Sequence, residues 1–232
     1  MQLTILDPHN PRQDFPPLTK AMTDPDGLLA AGGCLSEKRL LKAYRLGIFP
    51  WYSPGEPILW WSPNPRLVLF PEQLKVSRSL RKTLRQNTFT FTIDRAFNQV
   101  IAACAKPRSY SEGTWISDDI QQAYRRLHQS GYAHSAEAWL NGELVGGLYG
   151  IALGKVFFGE SMFHTCTDAS KVVFVSLVEQ LKAWDYQVID CQVHSEHLAS
   201  LGAINYERSE FIGLLNQYCD EPINDCAWQQ LL

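Results

Sequence analysis

The spacing of apolar and polar residues divides the chain into an irregular start and a regular remainder. Residues 1–30 are rich in Pro and Asp, and we expect them to be mostly irregular. After residue 65, segments that alternate between apolar and polar side chains follow segments in which apolar residues recur every three or four positions. These patterns are typical of strands and amphipathic helices. They predict an α/β (α+β) protein whose mixed, mostly antiparallel sheet carries helices on both faces.

Capping and turn residues delimit the predicted elements. Ser36 is a suitable N-cap for a helix over about 37–46, which ends at Gly47, and Asn141-Gly142 is a strong hairpin turn. Further helices are predicted over 77–86, 96–104, 118–130, 170–184, 197–201 and 208–217. Strands are predicted over 67–70, 89–93, 134–140, 143–151, 155–158 and 187–190.

A segment rich in Pro and Trp separates the two parts of the chain. Residues 48–66 contain five prolines, which exclude a long helix. The same segment contains the aromatic residues Phe49, Trp51, Tyr52, Trp60 and Trp61. These side chains either form the core of a small module or, in part, stack on a base or ring. We therefore expect a small N-terminal domain over 1–64 and a larger domain over 65–232.

Composition excludes several classes of protein. Of the 232 residues, 45% are apolar and 19% are charged, which is typical of a soluble globular protein. No apolar run approaches the ~18–20 residues of a membrane helix, and the N-terminus does not resemble a signal peptide. The six cysteines form no CxxC pair, and no His/Cys cluster has zinc spacing. We expect a cytoplasmic protein with reduced cysteines, no membrane contact and no metal.

Local charge differs from the net charge of −3. Within the predicted helix over 77–86, four basic residues follow the i, i+3, i+4, i+7 pattern, which places them on one face. They are Arg78, Arg81, Lys82 and Arg85. Leu80 and Leu84 can then face the core. The basic face is either an ordinary solvated surface or a patch that contacts phosphates.

Polar residues interrupt two apolar runs in the second half of the chain. Glu160 follows an apolar hairpin, and a second apolar run ends in Asp190-Cys191-Gln192. A carboxylate in apolar surroundings must be paired, protonated or functional. Strand alternation predicts that Cys191 points away from its two neighbours. The arrangement indicates a site for a polar reacting centre attached to an apolar group.

Seven short segments between about residues 25 and 215 share the order and spacing of one known family. They are residues 47–51, 57–63, 112–116, 159–163, 169–171, 189–193 and 197–203. On these segments the chain resembles the bacterial, cytoplasmic leucyl/phenylalanyl-tRNA–protein transferases. The resemblance implies a GNAT-type acyltransferase fold for the catalytic domain, 65–232. It also implies transfer of Leu or Phe, with Met as a further candidate, from aminoacyl-tRNA to proteins that begin with Arg or Lys, which marks them for degradation.

The resemblance also implies the catalytic residues. Asp190 and Gln192 are the implied pair, and no cofactor or metal is needed because the donor ester is already activated. The amide of Gln192 offers both a donor and an acceptor. Asp190 either orients Gln192 or holds the attacking ammonium, and positioning is the role that we favour. The alternative is that both residues have a purely structural role at the end of a strand.

The implied substrate-binding residues form three groups. An apolar pocket for the amino-acid side chain, whose residues could equally be plain core, is lined by Leu148, Phe157, Phe174, Leu177, Leu181 and Ile189. Glu160, at the pocket edge, is a candidate partner for the aminoacyl amine or the adenosine, and Trp51 and Trp115 are expected to stack on the 3′ adenosine. The basic face would follow the phosphates of the acceptor stem.

Recognition of the acceptor protein stays open. An N-terminal Arg or Lys needs nearby carboxylates, and the candidates are Glu160, Asp190 and Glu112. The expected partners are therefore aminoacyl-tRNA and a protein substrate, and we expect the enzyme to be a monomer.

Two other classes of function are compatible with parts of the sequence. An acyl-CoA-dependent N-acyltransferase on the same fold would need a glycine-rich pyrophosphate loop before a helix. Residues 163–169 contain no glycine and include an acid, which disfavours this function. A non-catalytic RNA-binding module would use the basic face and the aromatic residues but would leave Glu160, Asp190 and Gln192 unexplained.

Overall fold

Two sheets and seven helices make up the described part of the chain. The computed structural model describes residues 3–107 and 114–229. The strands are β1 (Thr4–Leu6), β2 (Leu28–Gly32), β3 (Phe49–Pro50), β4 (Leu59–Trp61), β5 (Arg66–Leu69), β6 (Thr90–Ile93), β7 (Ala133–Leu140), β8 (Glu143–Leu153), β9 (Val156–His164), β10 (Val188–Gln192) and β11 (Ile204–Tyr206). The helices are α1 (Glu37–Arg45), α2 (Arg78–Arg85), α3 (Phe97–Cys104), α4 (Asp118–Gln129), α5 (Ala169–Ala183), α6 (Glu196–Ser200) and α7 (Arg208–Tyr218).

Three of the seven helices begin directly after a capping hydroxyl. Ser36, Ser77 and Ser117 precede α1, α2 and α4, and each side chain accepts a hydrogen bond from the backbone N–H three residues later. Such a bond satisfies one of the free N–H groups of the first turn. All seven predicted helices are confirmed, with ends that differ by at most one residue.

The larger sheet has seven strands in the order β11-β5-β10-β9-β8-β7-β6. Every neighbouring pair is antiparallel except β9 and β10, which run parallel. The β7–β8 turn has a positive φ at both Asn141 and Gly142, as a two-residue hairpin turn requires. The predicted mixed, mostly antiparallel sheet is confirmed.

Alternate residues of the central strands face different helices. Tyr149 and Phe158 belong to a core with α3 and α4, whereas Leu148 and Phe157 belong to a core with α2 and α5. Because successive side chains of a strand point to opposite faces, one sheet separates the two cores. The predicted placement of helices on both faces is also confirmed.

The smaller sheet has the order β1-β2-β4-β3 and contains the Pro- and Trp-rich segment. Trp60 is fully buried, and its Nε1 donates to the carbonyl of Gly32 at 2.9 Å. Trp51, in contrast, is 46% exposed. Trp60 is therefore a core residue, whereas stacking of Trp51 on a base or ring stays a prediction. One core joins residues on both sides of residue 64, and the domain boundary there stays a prediction.

The strand predictions are incomplete and in one place wrong. Residues 3–30 are mostly irregular, as expected, although β1 and the first part of β2 lie there, and β3, β4 and β11 were not predicted. β9 extends to His164, whereas the prediction ended at residue 158. A register shift between Tyr149 and Gly150 lets β8 continue to pair with the second half of β9. Glu160 consequently lies within a strand and not beyond its end.

Candidate active site

A cavity of about 340 Å³ opens between α5, the central strands and the segment that carries Trp51. Every residue assigned above to catalysis or to amino-acid and adenosine binding borders it. These residues are Trp51, Trp115, Leu148, Phe157, Glu160, Phe174, Leu177, Leu181, Ile189, Asp190 and Gln192. The structure thus brings them together, while their individual roles stay predictions.

The inner part of the cavity is apolar. Phe174, Leu177 and Leu181 lie on one face of α5, opposite Phe157 of β9 and Ile189 of β10. All five side chains are at least 94% buried and belong to the hydrophobic core. They are therefore core residues that also line a cavity, so the two alternatives considered for them are compatible.

The parallel pairing of β9 and β10 places Glu160 beside Gln192. Phe157 pairs with Ile189 and Phe158 with Asp190, so the residues two positions further along lie level with each other. Nε2 of Gln192 donates to Oε1 of Glu160 at 2.7 Å. Two polar groups separated by 32 residues thus meet at the polar end of the cavity.

The backbone at Gln192 has a positive φ of 62°. An irregularity in the pairing with β5 lies between Asp190 and Gln192, and the N–H of Gln192 donates to Oδ1 of Asp190 at 2.9 Å. Left-handed backbone is uncommon outside glycine and persists where the surroundings enforce it. Asp190 therefore helps to hold the backbone that presents Gln192.

Cys191 borders the cavity as well and packs against the core that contains Ile189, whereas the carboxylate of Asp190 is bound by Arg66. This agrees with the expectation that Cys191 points away from Asp190. Burial, assisted by the negative charge of Asp190, strongly raises the pKa of the thiol. The thiol therefore stays protonated and is a poor nucleophile.

Asp190 forms a buried, bidentate ion pair with Arg66. Nε and Nη2 of Arg66 donate to the two carboxylate oxygens at 2.8 and 2.6 Å, and both side chains are at most 1% exposed. Arg66 also lies between the rings of Phe49 and Phe211, with centroids at 4.7 and 4.9 Å from its Cζ. Because both oxygens of Asp190 are engaged, the geometry favours orientation of Gln192 over capture of an ammonium.

Arg66 is a residue that sequence reasoning missed. Its guanidinium also donates from Nη1 to the carbonyl of Gly47 at 3.1 Å. The sequence signal was weak: one basic residue at the start of a strand, 124 positions from its acidic partner. Only the pairing of β5 with β10 brings the two charges together.

Glu160 accepts hydrogen bonds from neutral donors. The hydroxyls of Tyr44 and Tyr124 donate to it at 2.7 and 3.0 Å, in addition to the amide of Gln192. Burial raises the pKa of Glu160 to about 7. The negative charge of Asp190 adds to this rise in pKa, whereas the three hydrogen bonds oppose it. The carboxyl can therefore exchange its proton near neutral pH.

Tyr44 and Tyr124 were also missed from the sequence. Burial raises the pKa of both hydroxyls well above the usual value, which keeps them neutral donors. Each Tyr lies on the buried face of its helix, α1 or α4. A polar aromatic residue on an apolar helix face was the available signal, although it does not identify the partner.

The two predicted stacking residues lie at the mouth of the cavity. Nε1 of Trp61 donates to the backbone carbonyl of Trp51 at 2.6 Å, and the two rings lie 5.7 Å apart. Trp115 is half-buried. Glu112, the third candidate for reading the acceptor, lies outside the described residues.

The four basic residues of α2 lie outside the cavity. Arg78, Arg81, Lys82 and Arg85 are exposed, whereas Leu80 is buried and Leu84 packs against the core, as predicted. Within residues 3–107 and 114–229, no carboxylate forms an ion pair with any of the four. α2 packs on α5, whose side chains line the cavity.

Two further findings concern the described residues alone. No three His, Cys, Asp or Glu side chains there are grouped so that they could hold a metal ion. No helix among them has the length and apolar character needed to cross a membrane.

Family models and relatives identify what the chain is similar to. A model described as leucyl/phenylalanyl-tRNA protein transferase matches residues 68–216, and one for the N-terminal domain of the same proteins matches residues 33–64. A leucyl/phenylalanyl-tRNA–protein transferase of Methylococcus capsulatus is 58% identical over 98% of this chain and 97% of its own length. One from Pseudomonas fluorescens is 60% identical over 92% of this chain and 94% of its own length.

Solved structures give more distant likenesses. L-PGS from Bacillus licheniformis is 12% identical, with 71% of this chain and 55% of that one covered at a TM-score of 0.40. A GCN5-related N-acetyltransferase from Kribbella flavida is 10% identical, with 69% and 57% covered at a TM-score of 0.38. Neither likeness is close enough to inform the function.

Proposed function

Because the chain belongs to the leucyl/phenylalanyl-tRNA–protein transferase family, we propose that it moves Leu or Phe to the α-amine of proteins that begin with Arg or Lys. Methionine is a secondary donor, and the transfer marks the acceptor protein for degradation in the cytoplasm. The observation that carries the proposal is an apolar cavity that ends in Glu160 and Gln192. Such a cavity suits an apolar side chain attached to a reacting ester.

The reaction needs no cofactor because the ester of aminoacyl-tRNA is already activated. The nitrogen of the acceptor amine attacks the ester carbonyl, the bond to the ribose oxygen breaks, and one proton moves from the nitrogen to that oxygen. The reference pKa of an α-amine is ~7.7–8.0, so a useful fraction is neutral near physiological pH. Alignment of amine and ester can supply ~7–11 kcal/mol of the barrier in favourable cases.

Gln192 acts mainly by position. Its Nε2 is held by Glu160 and its backbone N–H by Asp190. Among the described residues, no donor reaches its Oε1, which is therefore available to accept a hydrogen bond from the attacking amine. The second N–H of the amide can donate to the oxyanion that develops on the carbonyl. No proton needs to pass through the amide.

Glu160 is the carboxylate that we assign to a cationic group of a substrate. Asp190 is engaged by Arg66, and Glu112 lies outside the described residues. With a pKa of about 7, Glu160 is substantially ionised at slightly alkaline pH and can then accept from an ammonium. Its three donors are neutral, so the negative charge stays uncompensated until a cation arrives.

The donor tRNA would lie across the mouth of the cavity. Trp51 is exposed there and can stack on the 3′ adenosine together with Trp115. The exposed basic face of α2 suits the acceptor-stem phosphates, and such contacts position RNA without reading its sequence. In the apolar part, a missing methylene limits discrimination against Val to ~10–200-fold.

The acyl-CoA alternative is disfavoured by the start of α5. Asp168 precedes this helix with a positive φ of 65°, and its carboxylate pairs with Lys171 at 2.9 Å. A pyrophosphate at that helix end would meet a negative charge.

The test is transfer of radiolabelled Leu from leucyl-tRNA to a peptide that begins with Arg, compared with the same peptide beginning with Ala. Wild type and Gln192→Ala are compared. We expect transfer to the Arg peptide alone and a large loss in the variant. Selective transfer that survives the substitution would retain the function but remove Gln192 from the reaction. Absence of transfer from both leucyl- and phenylalanyl-tRNA would contradict the proposal, and coenzyme A binding would then be measured.

A further inference from the structure

The segment after α7 folds back onto the core with Trp228. This residue lies beyond residues 68–216, the part matched by the main family model. Its indole stacks on the imidazole of His134, with ring centroids 3.9 Å apart and planes 13° from parallel. Nε1 of Trp228 donates to the hydroxyl of Tyr186 at 2.6 Å. The indole is therefore held by stacking on one face and by a hydrogen bond at its polar edge.

The support beneath Trp228 is itself well fixed. Nδ1 of His134 lies 2.6 Å from a carboxylate oxygen of Asp94, and Nε2 lies 3.2 Å from the carbonyl of Gly131. A ring with partners at both nitrogens has one orientation. Trp184 packs against another side of the indole, with centroids 5.0 Å apart.

Trp228 in turn contacts a wall of the active-site cavity. Its indole stacks near the ring of Phe157, with centroids 5.8 Å apart and planes at 23°. Phe157 borders the cavity. On another side, a Cβ added at Gly150 would lie 2.5 Å from Cζ of Phe157, so only glycine leaves room for this ring. The ring of Phe157 thus occupies a slot between Gly150 and Trp228.

We propose that Trp228 is a specificity-determining residue, which sets the depth of the amino-acid pocket by holding Phe157 in place. The inference rests on the proposed function, because the pocket is taken to receive the Leu or Phe side chain of the donor. Protein interiors are closely packed, so removal of an indole leaves space into which a neighbouring ring can retreat. Retreat of Phe157 would deepen the pocket and favour the larger donor side chain.

The test compares kcat/KM for leucyl-tRNA and phenylalanyl-tRNA in wild type, Trp228→Ala and Trp228→Phe. We expect Trp228→Ala to shift the ratio toward Phe by about 10-fold, the lower end of what one methylene achieves in an apolar pocket. Trp228→Phe keeps an aromatic ring against Phe157 and should restore most of the wild-type ratio. A loss of folded protein lowers the apparent kcat/KM for leucyl-tRNA and for phenylalanyl-tRNA by the same factor, so their ratio does not change.

Two further variants separate a pocket effect from general destabilisation. Trp139→Ala is the matched control, since that indole also donates to a hydroxyl, Oγ1 of Thr92 at 2.7 Å, but does not border the cavity. Its ratio should not change. In a Phe157→Leu background, Trp228→Ala should shift the ratio much less, because the ring through which Trp228 acts is gone.

A ratio in Trp228→Ala that equals the wild-type ratio would overturn the inference and leave Trp228 a purely structural role. Binding of leucinamide and phenylalaninamide, followed by NMR, provides a second ratio that does not require transfer. If wild type transfers neither amino acid, the proposed function fails, and the shift in this binding ratio still decides the role of Trp228.

Discussion

Asp190 and Glu160 are two carboxylates on neighbouring strands of one cavity, and they differ in the charge of their partners. Asp190 is bound by the guanidinium of Arg66, whereas Glu160 is bound by two hydroxyls and an amide. A cationic partner compensates the charge of a carboxylate, whereas neutral donors leave that charge uncompensated. The comparison teaches that the charge of the partner, more than burial itself, separates the acid that orders the site from the acid that is left for a cation of the substrate.

Both carboxylates also depend on residues from the small sheet and its helix. Arg66 donates to Gly47 and lies on the ring of Phe49, and Tyr44 of α1 donates to Glu160. The polar end of the cavity is thus assembled from residues on both sides of residue 64. A substitution on either side of residue 64 should therefore alter the polar end of the cavity.

The largest effect is expected from breaking the ion pair. Arg66→Met leaves Asp190 buried without its cation, and we expect a loss of about 3–5 kcal/mol in the free energy of unfolding. Urea denaturation followed by fluorescence measures it. Lys42→Met, which breaks the exposed pair with Asp14, is the control and should change stability little.

A double variant tests whether the loss reflects the orphaned charge. Arg66→Met combined with Asp190→Leu removes both ions, and part of the lost stability should return. Transfer activity should not return, because the N–H of Gln192 has then lost its acceptor. Equal stability of the single and double variants would show that packing of Arg66 between the two rings, and not charge, dominates.

The next effect concerns Glu160, whose substitution should raise the relative stability of the protein as pH rises, whereas Arg66→Met lowers stability. Its pKa is about 7 in the folded protein against an ordinary value of 4.5, so the folded state binds more protons between these values. The stability that this group contributes is present at low pH and is lost as pH rises through about 7. Glu160→Gln has no ionisation at this position. Its free energy of unfolding relative to that of wild type should therefore rise by about 2 kcal/mol between pH 5 and pH 8.

The same variant has an activity readout. In wild type, kcat/KM should rise with pH through about 7 as Glu160 ionises, in addition to the later rise from the acceptor amine. Glu160→Gln should retain only the later rise and be much less active. An unchanged pH profile in the variant would mean that the ionisation of Glu160 is not used.

Sequence reasoning located the seven helices, six of the seven strands of the larger sheet and the residues around the cavity, but it could not distinguish the two carboxylates. Helices and strands follow from local periodicity and from caps such as Ser36. The partners of Asp190 and Glu160 lie 124 and up to 116 positions away and depend on strand pairing and on the packing of helices against the sheet. The irregularity at Gln192 was also invisible, because no Gly or Pro marks it, and Gly159 indicated a strand end where β9 in fact continues.

A smaller effect is expected from the backbone that Asp190 holds. Gln192→Gly and Gln192→Ala both remove the amide, but only glycine adopts the positive φ without strain. Gln192→Gly should therefore be more stable than Gln192→Ala by about 1 kcal/mol, with both inactive in transfer. Thermal unfolding of the two variants measures the difference. Equal stability would indicate that the backbone relaxes once the side chain is gone.

The smallest effect is expected from removing one neutral donor to Glu160. Tyr124→Phe deletes a hydrogen bond that favours the ionised carboxylate, so the pKa of Glu160 should rise further, by less than about one unit because two donors remain. The lower limb of the pH profile of kcat/KM should move to higher pH, with little change in the maximal rate. Tyr206→Phe is the matched control. Tyr206 lies in the edge strand β11 and packs on Phe70, so its substitution should not shift the lower limb of the pH profile. A shift of the lower limb toward lower pH in Tyr124→Phe would contradict this prediction. It would show that the hydroxyl of Tyr124 stabilises the protonated form of Glu160 and not the ionised one.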